Sequence, residues 1–335
     1  MLKNCPQLRI QLQELKALFS KYCLEFEQVK NSKEYESIFS IQKELASNIE
    51  NIKKLIPASL EEAREIMGEY FYGPEEVANT FGFELKKESI PPIPYSKEEL
   101  IKANGLYESL VLRISHDAEG KPMTMQRIDE IMTPRLPRRK PDDEFWHNQD
   151  FYTKDSLQME WRFVGNYFVS DVKSKKDKYG RHEDCSGKNY IEQTRILRDY
   201  LKSIDSLSKE EEAQCSDDKL MSLAEKMGMD WKTGEVIDQT KYDVNHKQVA
   251  LELSRLLIII KHNSLPVEIV YDYYMQIVKK RYRGNFLDDN HAWSRGLDSE
   301  GQLLHVSFAI NPYGLYMAGW RLDHCPSDVG FVYVR

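Results

Sequence analysis

Apolar residues recur at helical spacing near the start of the chain: Leu8, Ile10, Leu12, Leu15, Leu18 and Phe19, then Ile38, Ile41, Leu45, Ile49 and Ile52. No glycine or proline interrupts residues 8–56. This pattern predicts long helices over 1–57, paired antiparallel about a turn near Asn31 and Ser32. Two readings stand, because the heptads are irregular: a coiled-coil arm joining two copies, or a hairpin packed on its own chain.

A second module, residues 58–140, is punctuated by start signals. Ser59 with Glu62 and Ser96 with Glu99 make capping boxes, in which the serine oxygen takes an orphan amide and the glutamate reaches back. Between them, Gly73-Pro74-Glu75-Glu76 opens a helix with proline in its first turn and acids at its positive end. Residues 109–115, SLVLRIS, alternate like a strand, and MTMQRIDEIM returns to helix. The proline- and arginine-rich TPRLPRRKP is the exit linker.

The third region, 141–335, mixes both periods. MEWRFVGNYFV reads as a strand and NYIEQTRILRDYLKSI as an amphipathic helix, with the aperiodic KSKKDKYGRHEDCSG between them as an exposed loop. Ser208 with Glu211 caps a short acidic helix, and residues near 205–245 read as an insertion on the surface. HKQVALELSRLLIII and LPVEIVYDYYMQIVKKRY are helices, the second with Pro266 at its start. From Trp293 the period becomes two. Leu304, Val306, Phe308 and Ile310 face one way and His305, Ser307 and Ala309 the other, as in a half-buried strand. The fold class expected is α+β.

Composition narrows the function classes. The chain has 335 residues, 41% hydrophobic and 30% charged, with net charge -7. That balance fits a globular chain and argues against one whose main work is gripping a phosphate backbone. Arg135, Arg138, Arg139 and Lys140 are a local basic patch, but Pro134, Pro137 and Pro141 surround it as in a solvated linker. The cysteines, Cys5, Cys23, Cys185, Cys215 and Cys325, are odd in number and far apart, as in a reduced cytoplasmic protein. No signal peptide or membrane span is expected.

Chemical motifs are sparse. The phosphate-binding loops, the nucleophile elbow and the H-E-x-x-H zinc motif are absent. His182, Glu183, Asp184 and Cys185 are metal-ligating types on one loop without a second pair, and Asp288, Asp289, Asn290 and His291 suit a polar turn. Cys325 beside His324 suggests an activated thiol that lacks a third, orienting group. No metal or cofactor is expected.

Short motifs in the third region carry a resemblance. LPVEIVYDYYMQ, through Leu265, Pro266, Glu268 and Tyr271, resembles a helix opening L-P-x-E-x-E-W-E in the formylglycine-generating, sulfatase-modifying branch of the C-type-lectin-like fold. His291-Ala292-Trp293-Ser294 resembles the W-S strand of that branch, and Gly330, Phe331, Val334 and Arg335 its closing G-F-R-x-V-R strand. The resemblance spans about 155–335 and implies a C-type-lectin-like domain. The branch's late catalytic cysteine pair is matched by Cys325 alone, so formylglycine chemistry is not implied and a non-enzyme is expected; Val332 in place of the arginine of the closing motif removes the ground for an internal salt bridge there.

A second resemblance lies upstream. IMGEYFYGPEEVANTFGFEL, PPIPYSKEEL and LVLRIS resemble segments shared by proteins of candidate-phylum bacteria whose C-terminal tails vary. Such tails are similar to the hypervariable regions of retroelement-diversified proteins. The implied function is binding of a protein or other macromolecular ligand by a variable surface. The implied surface is His291, Trp293, His305, Ser307, Ala309, Asn311, Tyr313, Tyr316, Trp320, Asp323, His324 and Ser327. Two rivals remain: a metal- or thiol-dependent enzyme using His324 and Cys325 or the 182–185 cluster, and a structural assembly factor acting through 8–56.

Overall fold

A computed structural model describes residues 17, 43–48, 56–133, 147–167, 169–171, 176–177, 188–278, 291–309, 314–323 and 329–335, with the backbone alone at 166, 167, 169–171, 176, 177, 277, 278, 308, 309, 314–316 and 331. Of the expected N-terminal helices, Ala17 and residues 43–48 are helical; the rest of 1–55, and the linker at 134–141, lie outside the described residues. The chain divides into two compact units, 1–68 with 92–106, and 69–91 with 107–335. Residues 58–140, expected as one module, therefore contribute to both.

In the first unit, helices α1 (Leu60–Met67) and α3 (Lys97–Gly105) start at the two expected capping boxes. Ser59 Oγ accepts from the Glu62 amide at 3.2 Å while Glu62 Oε2 accepts from the Ser59 amide at 2.9 Å. Ser96 and Glu99 repeat the exchange at 3.3 and 2.7 Å. The helices pack on each other, burying Met67 and Leu100, and Asn104 Nδ2 donates to the Ile66 carbonyl at 2.8 Å.

The second unit is built on one seven-stranded mixed sheet. Its strands are β1 (Phe71–Tyr72), β2 (Ser109–Arg113), β3 (Glu160–Tyr167), β6 (His291–Leu297), β7 (Leu303–Ala309), β8 (Gly314–Trp320) and β9 (Val329–Val334), in the spatial order β1-β2-β3-β9-β6-β7-β8. The pairs β1/β2 and β6/β9 are parallel, and the other neighbours antiparallel. SLVLRIS thus pairs with β3 in the same sheet as the C-terminal strands: Leu110 lies opposite Phe163 and Leu112 opposite Trp161. A small second pair joins β4 (Val169–Asp171) to β5 (Lys176–Asp177), and β5 falls within the stretch expected as a loop.

The last strand is a central one. β9 lies between β3 and β6, with Val334 opposite Val164 and Val329 opposite His291. Central strands are satisfied by two neighbours and buried on both sides, which explains why a C-terminal segment is apolar. Arg335 is held as well: Nε lies 2.8 Å from Glu108 Oε1, Nη2 lies 2.5 Å from Oε2, and the guanidinium sits 4.7 Å from the Phe163 ring centre.

Helices cover both sheet faces. Register and alternation put Trp293 and Tyr333 on one face, with Arg113 and Val334 on the other. α6 (Tyr190–Ser203) covers the first face: the Tyr200 and Tyr333 hydroxyls are 2.7 Å apart, and Tyr190 meets Trp293 edge-on at 5.5 Å. Gly165 permits this layer, because a Cβ there would lie 2.2 Å from Tyr333 Cζ. α11 (Pro266–Val278) covers the second face and begins at Pro266, with the Leu265 amide donating to Glu268 Oε2 at 2.6 Å. Around it lie α2 (Pro74–Phe81), whose Phe81 stacks on Tyr271 at 4.9 Å, α4 (Met125–Met132) and the short α5 (Asp150–Thr153).

The stretch near 205–245 is less peripheral than expected. It forms α7 (Lys209–Gln214), α8 (Asp217–Lys226) and the first turns of α9 (Gln239–Ser254), and it buries Cys215, Leu220, Met227 and Tyr242 completely. Gly228, at φ 76°, closes the turn between α8 and α9 against the Asp238 carbonyl. The expected continuous helix through LLIII breaks at Arg255 and Leu256, and α10 (Leu257–His262) starts afresh. His262 Nδ1 then donates to the Val334 carbonyl at 2.9 Å, and burial lowers its imidazole pKa.

Candidate functional site

Strands β6, β7 and β8 gather five of the expected surface residues into one cluster. Trp293 lies opposite His305, and His291 opposite Ser307, so all four side chains emerge on one face. On the adjoining strand Trp320 lies opposite Leu303, one pair further along that face, where it stacks on His305 with ring centres 3.4 Å apart. His291 is 5.0 Å from Trp320, and Trp293 meets Trp320 edge-on at 5.7 Å. A polar contact joins the two imidazoles: His291 Nδ1 and His305 Nδ1 are 2.9 Å apart.

Burial corrects part of the expected surface. His305 and Trp293 are 0% exposed and Ser307 is 4% exposed, so His305 and Ser307 in β7 are interior residues like Leu304 and Val306. The reason is tertiary. Period two distinguishes the two faces of a strand, but it does not say that the polar face is wet, and this one is roofed by the β6 and β8 side chains. His291 and Trp320 are half-buried at its margin. Among the described residues Trp293 Nε1 is buried and has no hydrogen-bond partner, which makes the inner layer costly in polar terms.

The segment after β8 is fastened to α9. Tyr242 OH donates to Asp323 Oδ1 at 2.7 Å, and Arg321 Nε lies 3.2 Å from the same oxygen. The Arg321 guanidinium rests 4.3 Å over the Tyr242 ring, which is also stacked with His246. Burial together with the Asp323 carboxylate raises the Tyr242 phenol pKa, so the hydroxyl stays a donor. Asp323, expected to contact a ligand, is thus engaged at the root of its loop. Tyr242 carries no signal in the sequence, because it lies in the stretch expected as an insertion and belongs to no motif.

The remaining expected residues fall elsewhere. Ala309 and Tyr316 are placed in β7 and β8 by backbone. Asn311, Tyr313, His324 and Ser327 lie outside the described residues, as do Cys325, the 182–185 cluster and Asp288 to Asn290. The described cysteine, Cys215, is buried, and desolvation pushes its thiol up to about 12, so it is no nucleophile. Among the described residues no group of three or more His, Cys, Asp and Glu is arranged to hold a metal, and no helix is long and apolar enough to cross a membrane.

A second polar cluster, also missed by sequence, lies under α11. Arg113 and Asp272 are both fully buried, with Nε 3.2 Å from Oδ1 and Nη2 2.5 Å from Oδ2. Glu268 Oε1 is 3.0 Å from Arg113 Nη1, and Arg295 Nη2 is 3.7 Å from Glu268 Oε2. Burial pushes the Asp272 carboxyl up to about 6, against the pull of Arg113 and with the help of Glu268 and Glu160. Arg113 and Asp272 join β2 to α11 away from solvent, while Glu268 and Arg295 reach toward the surface with side chains 14% and 23% exposed.

Fold and site together define a mixed helix-and-sheet protein with a histidine–tryptophan cluster near one edge of its sheet. No protein-family model matches the chain, and no curated protein or solved structure is similar to it.

Proposed function

We propose that the chain is a non-enzymatic recognition protein. In this reading it binds a macromolecular ligand through a C-type-lectin-like C-terminal region whose surface varies between related chains. The observation that carries it is the layering of β6–β8: half-buried His291 and Trp320 rest on an inner layer of Trp293, His305 and Ser307 that is itself sealed. A surface that changes by mutation needs such a support, because side chains at the margin are replaced without opening a cavity beneath. Aromatic and imidazole groups at the margin also suit recognition, since rigid rings give contact area at low entropy cost.

The clamp of Arg321 and Asp323 on Tyr242 fits the same reading, since it fixes the stem of the segment that leads into β9. The test is sequencing the coding locus across sibling strains. Substitutions should concentrate at His291, Trp320 and the segments 310–313 and 324–328, while Trp293, His305 and Ser307 stay constant. A tail that is constant throughout, or variation as frequent at His305 as at Trp320, overturns the proposal.

A further inference from the structure

Residues His262, Asn263 and Ser264 lead from α10 toward α11 and fasten to two central strands on the way. His262 Nδ1 donates to the Val334 carbonyl at 2.9 Å, Asn263 pairs antiparallel with Tyr333 as a single bridge, and the Ser264 carbonyl accepts from the Arg295 amide at 3.0 Å. All three residues are buried. We infer that this segment is an acid-released strap, held on β9 and β6 while the His262 imidazole is neutral and lifted when that ring gains a proton.

The atoms around the ring decide the sign. A carbonyl can only accept, so the Val334 contact fixes the proton of the neutral ring on Nδ1 and leaves the Nε2 lone pair bare. Nε2 faces Glu211 Oε1 of α7 at 3.5 Å. That oxygen already has a cation, since Lys261 Nζ, on a side chain 50% exposed, lies 3.0 Å from it. An imidazolium would be a second cation for one buried carboxylate, in a site that also feels Arg162 of β3. β9 turns the Val334 carbonyl toward the ring, and α9 adjoins the opposite end of α10, at Arg255 and Leu256. Burial, helped by Lys261 and Arg162 and opposed by the Val334 carbonyl and Glu211, holds the imidazole below its ordinary 6.5. The neutral ring therefore holds the strap above pH 6.5, and the hold is lost as pH falls below that value.

The strap is poorly satisfied where it lies. Asn263 Oδ1 and Ser264 Oγ are buried and, among the described residues, have no hydrogen-bond partner, so each gains one on reaching water. Against this stands the bond from Asn263 Nδ2 to the Tyr190 hydroxyl at 3.0 Å. α10 is six residues long and starts afresh after a break, so few helical hydrogen bonds resist once its His262 end comes away. β9 keeps its ladders to β3 and β6, one on each side, so the release stays local. Nothing in the sequence announces the strap, since His262 and Val334 are 72 residues apart.

The experiment is amide hydrogen exchange on the full chain at pH 7.5 and pH 5.0, with rates corrected for the intrinsic pH dependence. Protection of residues 257–264 should fall at least about tenfold between the two, while that of β2 and β3 does not. His262→Gln keeps an amide donor for the Val334 carbonyl and cannot titrate, so its protection over 257–264 should be the same at both values. Lys261→Met, at an exposed position, frees Glu211 to answer the imidazolium and should move the release to lower pH; it decides the matter where the glutamine variant fails to fold. The inference is overturned by native-chain protection over 257–264 that is equal at the two values or greater at pH 5.0. It is equally overturned by a pH dependence that survives in His262→Gln, or by a release that Lys261→Met leaves unmoved. Each of these outcomes is independent of the tail-variation test.

Discussion

Replacing Asp272 by alanine should destabilise the sheet-containing unit far more than an ordinary polar truncation. The perturbation removes one member of a pair in which both groups are fully buried, with two contacts between them at 3.2 and 2.5 Å. Arg113 cannot shed its charge, because the guanidinium stays protonated at any pH the fold tolerates. Glu268 remains 3.0 Å away and compensates in part, so the expected cost is about 3 kcal/mol, the low end of what breaking a buried pair costs. The pair as a whole is a different matter, since desolvation offsets most of its attraction. Arg113→Met combined with Asp272→Leu should therefore cost less than the single Asp272→Ala change, by roughly 2 kcal/mol. The assay is urea unfolding of the full chain followed by far-UV circular dichroism and near-UV fluorescence, read as a double-mutant cycle. If Asp272→Ala costs under about 1 kcal/mol, or if the double variant shows the sum of the two single losses, the pairing argument fails.

The same residue has a signature in pH. Its folded-state pKa, about 6, lies above the ordinary 3.8, so its stabilising contribution is complete below pH 4 and is lost as pH rises through 6. Asp272→Asn should remove that slope from the pH–stability curve measured between pH 4 and 7. Gly165→Ala would force a methyl to within 2.2 Å of Tyr333 Cζ and should cost about 1–3 kcal/mol by thermal or urea unfolding, more if the Tyr200–Tyr333 hydroxyl contact is also lost. Tyr242→Phe deletes the hydrogen bond to Asp323 while keeping the ring under Arg321. Global stability should fall by about 1 kcal/mol, and amide exchange should rise at 321–323 ahead of the rest of the sheet; unchanged exchange there would remove Tyr242 from the clamp.

Local signals were readable in the sequence wherever a few neighbouring residues decide the outcome. Ser59, Ser96 and Ser208 with their glutamates three positions on do cap helices, and Pro74 and Pro266 do open them. A cap depends on a side chain and backbone amides within one turn, so its residues sit together in the chain. The strands SLVLR and EWRFVGNY were equally evident from alternation. Which strands are neighbours was not, because pairing is set by the packing of both faces and not by the alternation of either strand.

The site divides along the same line. Sequence placed His291, Trp293, His305 and Trp320 among the residues of interest, by their types and by the period of the strands that carry them. Tertiary structure alone decided that His305 and Trp293 are interior, that two Nδ1 atoms meet, and that Tyr242, some eighty residues upstream, holds Asp323. It also decided that Arg113 pairs with Asp272, 159 residues away. Periodicity assigns a residue to a face. What lies over that face is fixed by elements from distant parts of the chain, because burial and charge pairing depend on distance in space and local pattern on distance in sequence.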